Sequence, residues 1–119
     1  MNRTLFVELQ QEVQALVNAA ERQEDLEPPI VNIQNCCRSL REEYQGREMR
    51  FTRFSLTLIT DALAFTPVSS ITPLMIGALV TASQAFLEGL PDQEGYGMMR
   101  DLLDEAGFSL IPEPPQDAA

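Results

Sequence analysis

The sequence predicts an all-α fold: a compact bundle of four main helices and a short fifth, with an extended proline-rich C-terminal tail. Two observations carry this. Five stretches repeat their apolar residues at steps of three and four, and none sustains the two-residue alternation of a half-buried strand. Pro28-Pro29, Gly46, Pro67 and Pro91 punctuate the chain between these stretches, leaving short connections of the kind that join antiparallel neighbours.

The first stretch covers about residues 4–25, where Leu5, Leu9, Val13, Leu16 and Ala20 form a stripe broadened by Phe6 and Val17. Asn2 or Thr4 can cap its start with a side-chain oxygen, and Pro28-Pro29 are expected to end it. The second, about 30–45, places Ile30, Ile33, Cys37, Leu40 and Tyr44 on one line, and Gly46 suits the left-handed position after it. The third, about 47–65, has two apolar lines: Phe51, Phe54, Leu58, Ala62 and Phe65, and beside them Leu56, Ile59 and Leu63. Its polar side gathers Arg53, Thr57, Thr60 and Asp61. Thr72 before Pro73 is a strong start for the fourth, about 73–89. A turn-rich link leads to the fifth, about 95–106, which ends at Gly107 with Phe108 folding back. Residues 1–111 are expected to form one helical domain, and residues 112–119 a flexible, acidic, proline-rich tail.

The stretch from Pro67 to Pro91 contains a single charged residue, Glu88, and raises the question of a membrane span. A spanning helix needs about 20 consecutive apolar residues. Pro67, Pro73 and Glu88 interrupt this one too soon. At about 100° per residue, Met75, Leu79, Ala82, Phe86 and Leu90 fall together, with Gly77, Thr81, Gln84, Ala85 and Glu88 opposite. The helix is therefore amphipathic, and no membrane association is expected. Helices three and four together offer more apolar surface than a small bundle readily covers. A homodimer through Phe51, Phe54, Leu58, Met75, Leu79 and Phe86 is the expectation; the alternative is that the two helices form the central pair of a monomer. Gly77, Thr81, Ala85 and Gly89 line a ridge of small residues, which suits either close helix approach or a plain solvent face.

Charge narrows the functional classes. The net charge of −10 disfavours direct binding to nucleic acid or anionic membrane. Acids cluster at Glu21, Glu24, Asp25 and Glu27 and again at Asp92, Glu94, Asp101, Asp104 and Glu105, while residues 28–60 are mildly basic. Within that middle, Arg47, Arg50 and Arg53 step by three and make a candidate contact strip for a carboxylate-rich partner. The same arginines can also be spent on pairing within the chain, as the four-residue spacing of Glu43 and Arg47 allows.

Chemistry is sparse. With no His and only Cys36 and Cys37, whose side chains diverge by about 100° on a helix, no metal site or disulfide framework is expected. Cys37 lies on an apolar stripe as a core thiol; Cys36 sits beside it without a base. No phosphate-cradling glycine loop or nucleophile elbow is present, and Asp61 is an isolated carboxylate on a polar face. No enzymatic activity and no cofactor are expected. Met1 leads into an amphipathic pattern instead of a basic-then-apolar leader, so the expected location is cytoplasmic. The leading functional expectation is a regulator, inhibitor or adaptor that binds another protein and occludes its surface, of the kind a phage or accessory element encodes. The second is an acidic mimic of nucleic acid that fills a partner's basic groove.

Overall fold

All five expected stretches are helical in the computed structural model, which describes residues 3–110. They are α1 (Arg3–Glu21), α2 (Glu27–Glu43), α3 (Arg50–Ala64), α4 (Pro73–Glu88) and α5 (Gln93–Ala106). Short 3₁₀ turns at Arg47–Met49 and Val68–Ser70 precede α3 and α4. The expected tail at 112–119 lies outside the described residues, as does Asn2.

Helix ends follow from the satisfaction of terminal backbone groups. Thr4 is not a cap, because α1 already includes Arg3. α1 stops at Glu21, earlier than expected, and Gln23 takes a left-handed φ of 58° in the turn that follows. Pro28 and Pro29 do not end α1; they lie in the first turn of α2. The first-turn amides of a helix have no intrahelical acceptor, so proline loses nothing there. The side chain of Asp25 accepts from the backbone N–H of Glu27 at 3.0 Å and helps to start α2. The Thr72 hydroxyl accepts from Met75 N–H at 3.2 Å at the start of α4. Asp92 does the same for α5, accepting from Gly95 N–H at 2.9 Å. Gly107 closes α5 at φ 108°, and Phe108, 3% exposed, folds back into the core with its N–H on Leu103 O.

The helices pack as a closed circuit, α1 on α2, α2 on α3, α3 on α5, α5 on α4, and α4 back on α1. One core fills the circuit. The α2 stripe of Ile30, Ile33, Cys37, Leu40 and Tyr44 is buried throughout, as are Phe6, Leu9, Val13 and Leu16 of α1. Two aromatic contacts join α1 to its neighbours: Phe6 stacks on Phe86 of α4 with centroids 5.6 Å apart, and lies 5.8 Å from Tyr44, which follows α2. A second aromatic cluster, Phe51, Phe54 and Tyr96, forms between α3 and α5. The Thr52 hydroxyl, buried, donates to Pro91 O at 3.2 Å and ties α3 to the link before α5.

The circuit changes the expected relation of α3 and α4. They are not a central pair; α5 packs between them, and α4 turns to α1. On α3 the buried set centres on Leu56, Ile59 and Leu63, while Phe65 is left 56% exposed. No helix among the described residues is long and apolar enough to cross a membrane.

Glycine substitutions separate the two kinds of position the fold uses. Gly107→Ala forces a side chain into a left-handed conformation and should lower stability by about 1 kcal/mol. A Cβ at Gly77 meets nothing within 4 Å, so Gly77→Ala should raise stability by about 0.5–1 kcal/mol through helix propensity alone. Urea unfolding of the two variants checks both signs.

Candidate interaction surface

The residues expected to form a surface are largely engaged within the chain. Leu58, Met75, Leu79 and Phe86 are between 1% and 4% exposed in one copy, so a second copy could reach them only by opening the bundle. Phe51 and Phe54 are partly buried against Tyr96. Most of the six residues' apolar surface is covered within one copy, α2 and α5 packing on α3 and α1 and α5 on α4.

The arginine strip is divided in the same way. The Arg53 guanidinium donates through Nη1 to Tyr44 O at 2.8 Å and Gly46 O at 2.7 Å. These two charge-assisted bonds to main-chain carbonyls fasten the α2–α3 turn. Arg50 lies over the Phe51 ring, its Cζ 4.9 Å from the centroid, and donates to Arg47 O at 3.0 Å. Arg41 donates to the Thr57 hydroxyl at 3.1 Å across α2 and α3. Arg47 is exposed.

The cysteines diverge as expected, Cys37 fully buried and Cys36 half-buried. Burial pushes the Cys37 thiol up to about 12, with the neighbouring Cys36 adding to the rise and a hydrogen bond to Thr60 opposing it. Cys36 is also raised, first by burial and then by the carboxylates of Glu8 and Glu12. Both thiols are therefore poor nucleophiles near neutral pH. No group of three or more His, Cys, Asp or Glu side chains is placed to hold a metal ion among the described residues.

What the structure does leave open is the outer face of α4. The projection around the helix axis holds: Met75, Ile76, Ala78, Leu79, Ala82 and Phe86 point into the core. Leu74, Gly77, Thr81 and Gln84 are exposed, Leu74 by 68%. An open groove of about 520 Å³ runs along the α1 side of this face, floored by Val17, Ala20, Ile76 and Val80. A second, of about 480 Å³, runs along the α5 side, floored by Ala78, Leu102 and Ala106 with the exposed Leu74 at its edge. Pro73 and Gly77 border both grooves, so Gly77, the first residue of the small-residue ridge, is the low divide between them. The chain has no charged residue between Asp61 and Glu88. The exposed sides of the other helices carry charges: Glu8 and Glu21 on α1, Arg38 and Glu42 on α2, Asp101, Asp104 and Glu105 on α5.

Sequence reasoning found the ridge but not its grooves. The signal was the ridge itself: a groove forms where small side chains on one helix face larger ones on its neighbours, and the neighbours are set by topology.

Two outcomes test these assignments. Arg53→Ala should cost about 1.5–3 kcal/mol of stability, since two charge-assisted bonds to backbone are lost, while Arg50→Ala should cost under about 1 kcal/mol. The Cys37 prediction concerns pH. Its thiol ionises near the ordinary value of 9.0 when unfolded but near 12 when folded, so the unfolded state loses its proton first as pH rises. The contribution of this thiol is intact below pH 9 and declines above it, by up to about 1 kcal/mol per pH unit. The stability gap between the protein and Cys37→Ala should therefore narrow from pH 8 to pH 10.5; a constant gap contradicts the burial argument.

Comparison with protein-family models, with curated proteins and with solved structures finds no match to this chain.

Proposed function

We propose that this protein works by binding another protein, as a small regulator, inhibitor or adaptor that covers part of its partner's surface, and that the outer face of α4 is the surface it uses. The observation that carries this reading is the uncharged, open face around Gly77, flanked on both sides by apolar grooves. Water in such grooves gains little from the walls, and displacing it with apolar side chains is favourable at about 25 cal/mol per Å² buried. The fold itself has no need of an apolar exterior there. Leu74 leaves most of its surface in water one residue into α4, where a polar side chain would continue the helix equally well.

The Arg47–Arg50–Arg53 strip is secondary in this reading. Arg53 is committed to the α2–α3 turn, so mutating it would act through stability before binding.

Photo-crosslinking in the native cells tests the proposal. A benzophenone side chain at Leu74 should give a discrete protein adduct that a probe at exposed Ser39 on α2 does not give. The adduct should disappear when Gly77→Trp, which the open space above Gly77 admits, is added and circular dichroism confirms the fold. The same adducts from both positions, or an adduct indifferent to Gly77→Trp, would sink it.

A further inference from the structure

We propose that the occupant of the two α4 grooves is a cationic amphipathic helix of a partner protein, seated along α4 with its apolar residues in the grooves and its basic residues against Glu21 and Glu105. This rests on the reading of the α4 face as a docking surface and adds the chemistry of what docks.

Charge selects the class. Each groove includes one carboxylate, Glu21 on the α1 side and Glu105 on the α5 side, and neither includes a basic residue. Exposed acids continue outward from both, with Glu24, Asp25 and Glu27 beyond Glu21, and Asp101 and Asp104 before Glu105. Only Arg22 and Arg100 offset these two runs. A neutral apolar segment would fill the floors but strip water from the two rim carboxylates without replacing it, which is costly. A segment with basic residues flanking its apolar stripe supplies that replacement and is steered in by the protein's field.

The same charges weigh against a second copy of this chain. An α4-to-α4 contact would bring Glu21 and Glu105 of each copy toward a like-charged face, with no base on that face to answer them.

Geometry selects a helix. An extended peptide gains its affinity by pairing with a free strand edge, and none exists among the described residues. A helix satisfies its own backbone and presents side chains at three- and four-residue steps, which can straddle the low divide at Gly77. The grooves follow α4 from Pro73 to Thr81, about 12 Å, so a partner segment of two to three turns covers them.

The test uses a displayed library of randomised amphipathic helical peptides selected on the full chain. Enriched peptides should carry apolar residues at helical spacing and a net positive charge. A representative synthetic peptide should lose at least about tenfold in affinity on Gly77→Trp, and about threefold or more on the double change Glu21→Gln/Glu105→Gln, with a shallower salt dependence. Enrichment of neutral or acidic peptides that still depend on Gly77 would overturn the cationic occupant and leave the docking face standing. Peptides indifferent to Gly77→Trp, or no enrichment at all, would overturn both. Sedimentation of the protein alone that shows a dimer dissolved by Gly77→Trp would assign the face to a second copy instead.

Discussion

The rotation of α4 about its own axis decides what this molecule shows to solvent, and the stack of Phe86 on Phe6 sets that rotation. The two rings lie 5.6 Å apart at an interplanar angle of 23°, with the Tyr44 ring 5.8 Å from Phe6. Once Phe86 points inward, the residues four and seven positions earlier, Ala82 and Leu79, must follow, because a helix advances about 100° per residue. Met75 joins them at the other end. The opposite line, Gly77, Thr81 and Gln84, is then committed to the outside.

That commitment interacts with the circuit of helices. α4 has α1 on one flank and α5 on the other, and both present larger side chains than its own outer ridge. Two troughs result, one on each flank. Their floors are apolar because the flanking positions are the shoulders of core-facing stripes: Val17 and Ala20 lie beside Leu16, and Leu102 beside Leu103. Their rims are acidic because the next positions around α1 and α5 are solvent-facing. A surface that is apolar at the bottom, negative at the edge and free of charge along its centre is an unusual exterior for a chain of net charge −10. The proposed binding role rests on this combination.

Much of the fold was legible in the sequence, and the limits have a common physical origin. Helical period reveals which face of a helix is apolar, so the α2 stripe and the two sides of α4 could be read directly. It does not reveal which neighbour covers that face. The apolar residues of α3 and α4 therefore looked like a surplus, although Leu58, Met75, Leu79 and Phe86 are covered by neighbouring helices of the same chain. Local chemistry was similarly one-sided. Pro28-Pro29 break the helix before them and begin the helix after them with equal ease; the earlier stop of α1, at the left-handed Gln23, decided between the two. Arg53 read as one of three candidate contact arginines because its acceptors, Tyr44 O and Gly46 O, are main-chain carbonyls that leave no trace in residue identity. The grooves were the least legible feature, since each requires two helices distant in sequence to lie side by side.

The orientation of α4 is open to direct measurement by methyl-resolved relaxation enhancement with a soluble paramagnetic agent. With Leu74 68% and Leu79 1% exposed, the Leu74 methyls should be strongly broadened while those of Leu79 and the Met75 methyl remain sharp. Broadening at Leu79 and Met75 with protection at Leu74 would mean that α4 is turned the other way, and would contradict the account at its foundation.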